Sequence, residues 1–239
     1  MHLLVTRPEP DASALADMLL ALGHEVLVAP VMQVVVREFS IDLSGVQAVL
    51  FTSANGVRAF AEQIGVPPNG LTAFAVGKAS AQVARDAGWT RVEAADGDVD
   101  ALAALVTARL SPKEGPLIHV SGKAAAGDLA GTLNASGFTV NRVVGYEARL
   151  VDTLPETIAS GLSSGDLDGV LLFSPRSARV LADLAEKAGL SGKLAAIDAY
   201  CLSPAVADAL TARISAPNSI NCKVATVPET PHLIALLSP

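Results

Sequence analysis

Charged residues make up only 17% of this 239-residue chain, against about a quarter in an ordinary soluble domain. Hydrophobic residues reach 51%, and the combination excludes a disordered chain, which is charge-rich and apolar-poor. Aromatic residues are rarer still, at 4%, too few for a stacked aromatic platform on nucleic acid. The charges sum to −7, which opposes long-range attraction to a polyanion, so no nucleic-acid partner is expected. Two cysteines, Cys201 and Cys222, form no disulfide framework and no C-x-x-C pair. A reducing cytoplasm is the expected compartment. No uncharged run reaches the ~18 apolar residues of a membrane helix, and Arg7, Glu9 and Asp11 interrupt any export signal at once.

Standard cofactor motifs are missing too. No two glycines are spaced G-x-G, so the dinucleotide fingerprint is absent. Gly77-Lys78, Gly122-Lys123 and Gly192-Lys193 all lack the upstream glycine of a phosphate-binding loop. The four histidines (His2, His24, His119, His232) show no metal-ligand spacing. Gly161-Leu-Ser-Ser-Gly165 fits the hydrolase pattern G-x-S-x-G, but it follows a helix and precedes a strand. A nucleophile elbow needs the reverse order, so Ser163 is read as part of a loop.

What the chain does contain is alternation. Short apolar runs at 3–6, 26–29, 48–52, 73–76, 117–120, 169–174, 196–200 and 223–227 read as strands. Helical periodicity follows at 11–22, 55–64, 78–87, 98–110, 127–136, 176–188, 203–213 and 230–237. Strands without polar alternation are buried on both faces, and strand–helix alternation gives an α/β fold with helices on both sides of a parallel sheet. Two β-branched segments, 31–36 and 140–149, fall outside this cycle and read as connecting strands.

The pattern is also duplicated. Leu15, Gly23 and Val26 recur at identical spacing as Leu129, Gly137 and Val140. Val49-Leu-Phe-Thr-Ser-Ala-Asn-Gly-Val-Arg58 resembles Val170-Leu-Leu-Phe-Ser-Pro-Arg-Ser-Ala-Arg179. A second serine follows each, Ser80 after Ser53 and Ser203 after Ser174.

Candidate chemistry lies in the strand-to-helix turns: Thr6-Arg-Pro8, Thr52-Ser-Ala-Asn-Gly56, Val76-Gly-Lys-Ala-Ser80, Ser121-Gly-Lys123, Ser174-Pro-Arg-Ser177 and Leu202-Ser-Pro204. In an open parallel sheet these turns lie at the carboxyl ends of the strands, where ligands bind. Each also opens a helix, whose free N–H groups and positive dipole end attract anions. The same hydroxyls are equally ordinary helix caps. Tyr146, one of only two tyrosines, lies in the second connecting strand, where its phenol can donate a hydrogen bond at neutral pH.

Taken together, Val5-Thr-Arg-Pro8, Phe51-Thr-Ser-Ala-Asn-Gly-Val57, Ala75-Val-Gly-Lys-Ala-Ser80, Gly145-Tyr-Glu147, Leu172-Phe-Ser-Pro175 and Val227-Pro-Glu-Thr-Pro231 resemble, in order and spacing, the uroporphyrinogen-III synthase family over essentially the whole chain. The resemblance implies two flavodoxin-like α/β domains joined by a two-stranded β connector, the first discontinuous. Domain one would be 1–33 with 150–239, domain two 38–142, and the connecting strands 34–37 and 143–149. It implies a monomeric, cofactor-free lyase that cyclises hydroxymethylbilane, a linear tetrapyrrole, with loss of water and inversion of ring D. It also implies a role for Tyr146 in assisting departure of the hydroxyl. The substrate's acetate and propionate groups would meet Thr6, Arg7, Ser53, Ala54, Asn55, Lys78, Ser80, Ser121, Gly122, Lys123, Ser174, Pro175, Arg176 and Ser203. Two departures stand out: Ser80 and Ser203 occupy places where many members carry Thr, and the Gly127-Asp128 region lacks an Arg often seen there. A two-lobed protein that binds a small anion without catalysis, or a sensor domain, is the alternative.

Overall fold

The apolar tetrapeptides become central strands in the computed structural model, which describes residues 1–95, 97–124, 127–214 and 219–237. The chain divides into two compact units, Met1–Gln33 with Arg149–Pro239 and Val34–Ala148. The first unit opens with β1 (His2–Val5), α1 (Asp11–Ala21) and β2 (Glu25–Val28). β3 (Met32–Val36) leads into the second unit. There follow β4 (Ala48–Phe51), α2 (Ala54–Ile64), β5 (Thr72–Ala75), α3 (Lys78–Asp86), β6 (Arg91–Ala94), α4 (Val99–Arg109), β7 (Leu117–Gly122), α5 (Leu129–Ala135) and β8 (Val140–Leu150). The chain returns to the first unit with α6 (Glu156–Ser164), β9 (Gly169–Leu172), α7 (Pro175–Lys187), α8 (Ser191–Leu194), β10 (Asp198–Cys201), α9 (Pro204–Thr211), β11 (Asn221–Val224) and α10 (Thr230–Ala235).

The first sheet has the order β11-β10-β9-β1-β2 and the second β3-β8-β7-β4-β5-β6. Pairing is parallel from β11 to β2 and from β8 to β6. The registers repeat between sheets. Leu3 lies opposite Gly169 and Val26, as Leu117 lies opposite Ala48 and Val140. The two units therefore share one strand plan, entered at different points. The second runs from β4 to β8 without a break, while the first begins at its fourth strand and finishes with its first three.

Each sheet is covered on both faces. Along β4, Ala48 and Leu50 pack with Leu102, Val106, Leu129 and Leu133 of α4 and α5. Val49 and Phe51 face the other way, onto Val57, Phe60, Ala84 and Trp89. In the first unit Leu4 joins the cluster under α6, α7 and α9, while Leu3 and Val5 pack against α1 and Leu233 of α10. Burying each such Leu or Phe side chain is worth about 1.5–3 kcal/mol, which is why a chain so poor in charge holds its strands in place.

Four readings need correction. β6 carries Arg91 and Glu93 and lies at a sheet edge, so it lacks the apolar run used to find strands. The one-turn α8 has too few residues for periodicity, and β11 ends at Val224 rather than 227. The serine pair is also out of register. Asp198 of β10 corresponds to Thr72 of β5, so Ser203 stands where Gly77 does. Both are N-caps, whereas Ser80 lies inside α3 and is buried.

Candidate active site

Strand order reverses between β4 and β7 in the second unit and between β9 and β1 in the first. Such reversals open a crevice beyond the carboxyl ends of the strands, because the flanking helices leave on opposite faces. The β4 and β7 turns hold Ser53, Ala54, Asn55, Ser121, Gly122 and Lys123. The β9 and β1 turns hold Ser174, Pro175, Arg176, Thr6 and Arg7.

In the second unit Ser53, Gly122 and Lys123 meet at Tyr146, while the Asn55 side chain accepts from Arg58 at 2.8 Å. The Tyr146 phenol oxygen and Ser53 Oγ share a 2.6 Å hydrogen bond. Ser53 is also the N-cap of α2, accepting from the Gly56 N–H at 3.4 Å. The phenol thus sits at the positive end of a helix with no acidic residue in its first turn. Gly56 allows this close packing, since a Cβ there would lie 2.5 Å from the Val120 carbonyl oxygen of β7.

The ring reaches Ser53 because pairing slips at the end of β7. Ser121 lies opposite Val144, but Gly122 lies opposite Tyr146, leaving Gly145 out of the ladder. The Lys123 N–H then donates to the Tyr146 carbonyl at 2.9 Å. A Cβ on Gly122 would come within 3.0 Å of two ring carbons of Tyr146, so the ring lies on bare backbone. Beside it, Glu147 pairs with Arg37 at 3.3 Å and Lys123 at 3.7 Å.

Two further polar residues, neither singled out by sequence reading, support the turns. Arg142 donates to Ser121 Oγ and to the Gly122 carbonyl, each at 2.8 Å, and to the Lys123 carbonyl at 3.3 Å. His119 Nε2 is 3.2 Å from Thr52 Oγ1, while its Nδ1 is buried with no hydrogen-bond partner among the described residues. Burial, with the charge of Arg142 adding to it, pushes the His119 pKa down to about 4, so the ring is neutral at pH 7. A histidine within the apolar run Leu117-Ile-His-Val120 was a readable signal; Arg142 on β8 gave none.

In the first unit Ser174 and Arg7 bond residues close to them in sequence. Ser174 caps α7, accepting from the Ser177 N–H at 3.1 Å, and its hydroxyl pairs with Ser177 Oγ at 2.8 Å. Arg7 lies 4.2 Å over the Phe173 ring and bonds Asp11 at 3.0 Å. Part of its charge is therefore already matched. Ser203 caps α9 without a side-chain bond, and Lys78 begins α3 on an exposed surface. Thr6, Ser80 and Ser121 are buried at 1%, 6% and 1% exposure. For Ser121 the hydroxyl is engaged by Arg142.

Seven of the helix N-termini separate into two groups. Those of α1, α4 and α5 carry the carboxylates of Glu9, Asp98 and Asp128 on their first N–H groups. Those of α2, α3, α7 and α9 have no acidic residue in the cap or first turn. Only the second group suits anionic substituents.

A family model described as uroporphyrinogen-III synthase HemD matches residues 13–237. Among solved structures, uroporphyrinogen-III synthetase from Helicobacter pylori 26695 aligns over 99% of this chain and 98% of its own, with TM-score 0.66 and 15% identity. A mutant uroporphyrinogen III synthase from the extremely thermophilic bacterium Thermus thermophilus aligns over 99% and 96%, with TM-score 0.57 and 18% identity. At these identities the structural likeness establishes the fold. A search of curated proteins finds no match. No helix among the described residues is long and apolar enough to cross a membrane.

Proposed function

The chain belongs to the uroporphyrinogen-III synthase family, and from that premise we propose that the Tyr146 hydroxyl in the second unit carries the proton transfer. The family's reaction closes hydroxymethylbilane to uroporphyrinogen III, with loss of water and inversion of ring D. Departure of the terminal hydroxyl is electronically easy, because the pyrrole nitrogen stabilises the methylene cation left behind. Closure without a catalyst gives the isomer with ring D not inverted. The main task is therefore geometric: to direct the substituted carbon of ring D onto that cation, so that a spiro intermediate forms, fragments and recloses inverted.

In this reading Tyr146 donates its proton to the departing hydroxyl, which leaves as water. Ser53 turns its own O–H towards the phenolate, and the α2 N-terminus lowers the cost of that negative charge. The observation that carries the assignment is the 2.6 Å Ser53–Tyr146 bond at that helix end.

Acetate and propionate groups of the substrate bind the N-termini of α2, α3, α7 and α9 through Ser53, Ala54, Asn55, Lys78, Ser174, Arg176 and Ser203, with Pro175 fixing the entry of α7. Around β7 and β1, the backbone of Thr6, Ser121 and Gly122 and the side chains of Lys123 and Arg7 complete the set. Ser80 contributes through its helix rather than its buried hydroxyl. Residues 1–33 with 150–239 form one working domain and 38–142 the other, joined through 34–37 and 143–149. The division of contacts near residues 33 and 148 supports this. The protein acts as a monomer, as the family resemblance implies, in a reducing cytoplasm that its free cysteines favour and without a nucleic-acid partner, which its net charge of −7 disfavours.

Freshly generated hydroxymethylbilane, with separation of the product isomers, tests the function. The expected product is uroporphyrinogen III in excess over a buffer control; a mixture no richer in that isomer would overturn it.

A further inference from the structure

We propose that Arg142 is a positioning residue for the Ser53–Tyr146 pair, acting through the backbone at the end of β7; the inference rests on the assignment of Tyr146 above. The Tyr146 ring lies on Gly122, with no side chain between them. Its height and tilt therefore follow the Gly122 backbone. That backbone is held from one side by the Lys123 N–H on the Tyr146 carbonyl. Arg142 holds it from the other. Nε donates to Ser121 Oγ and Nη2 to the Gly122 carbonyl, both at 2.8 Å, with Lys123 O at 3.3 Å from the same Nη2.

The guanidinium is suited to this position because its donors are coplanar and fixed in a fork. One edge spans a side chain and two successive carbonyls of a single turn. The peptide between Gly122 and Lys123 is then clamped at both its oxygen and its N–H, and a planar peptide held at both ends cannot rotate. The hydrogen bonds of Arg142 go to Ser121, Gly122 and Lys123, not to Ser53 or Tyr146, so its effect on the phenol is transmitted through the turn. A lysine would supply the charge without the fork.

The test is a double-mutant cycle on kcat with freshly generated hydroxymethylbilane, using Arg142→Gln and Tyr146→Phe. Arg142→Gln is expected to lower kcat about tenfold with KM changed less than about twofold. In the Tyr146→Phe background it is expected to change kcat less than about twofold. An equal loss in both backgrounds, with Tyr146→Phe itself slow, overturns the role of Arg142 alone. A wild-type rate in folded Tyr146→Phe instead overturns the assignment of Tyr146. Should Arg142→Gln fail to fold, Arg142→Lys carries the same cycle: a reduced kcat supports the fork, and full wild-type kcat overturns it. Ring-labelled tyrosine gives a readout independent of turnover, since the chain has only two tyrosines. The Tyr146 signals are expected to shift in the Arg142 variant while those of Tyr200 stay; unmoved Tyr146 signals would overturn the proposal.

Discussion

Ser53 and Ser174 follow equivalent strands and cap equivalent helices in the same way, yet their hydroxyls serve different neighbours. Ser174 turns to Ser177, three residues on in its own helix. Ser53 turns to Tyr146, on a strand 93 residues away. The surroundings diverge in the same sense. Strand registers place Val5 where the second unit has His119, Phe173 where it has Thr52, and Val28 where it has Arg142. Gly56 of α2 corresponds to Ser177 of α7. One strand plan thus carries a locally satisfied, partly apolar rim in the first unit and a connected polar network in the second. On the proposed assignment, the shared fold offers helix ends to anions in both units, while the proton transfer draws on polar side chains present at these positions in the second.

The comparison can be broken most forcefully at the phenol. Tyr146→Phe is expected to lower kcat about tenfold or more, while costing about 1 kcal/mol or less in stability, the net worth of one hydrogen bond. Steady-state kinetics beside thermal unfolding check both halves.

A second difference lies in the buried imidazole. His119 has a depressed folded pKa of about 4, against about 6.5 unfolded. Between these values the unfolded chain binds the extra proton, so stability rises with pH across that window and is lost as pH falls through it. The full span is worth about 3 kcal/mol. His119→Val, which gives the second unit the first unit's residue, is expected to remove that part of the slope in denaturant unfolding followed from pH 7 to 4.

Packing gives the third contrast. Gly56→Ala drives a methyl into the Val120 carbonyl and is expected to cost about 1–3 kcal/mol. Ser177→Ala at the corresponding place removes a single hydroxyl bond and is expected to cost about 1 kcal/mol or less. Equal losses would remove this contrast between the two helix starts.

Much of this fold was legible because the strands are short apolar runs between helical stretches, a pattern that needs no knowledge of tertiary contacts. The exceptions are physical. β6 is an edge strand with charged side chains, and α8 is shorter than a helical repeat. Ser80 and Ser203 fall out of register because a serine and a bare glycine both serve as helix caps, as Ser203 and Gly77 show. At the site, Tyr146 and the serine caps were visible as residue types at turns. Their partnership was not, because the slip at Gly122 that brings them together is a property of strand pairing. Arg142 was invisible for the same reason: its acceptors are carbonyls of another strand.

The most direct measurement sets Ser53→Ala against Ser174→Ala, the same change at equivalent positions. Each removes a helix cap worth about 1 kcal/mol, so their thermal unfolding midpoints are expected to fall by similar amounts. Ser53→Ala is expected to lower kcat, while Ser174→Ala is expected to raise KM and leave kcat near the wild-type value. Equal losses of kcat in both variants, or a wild-type kcat in folded Ser53→Ala, would contradict this expectation.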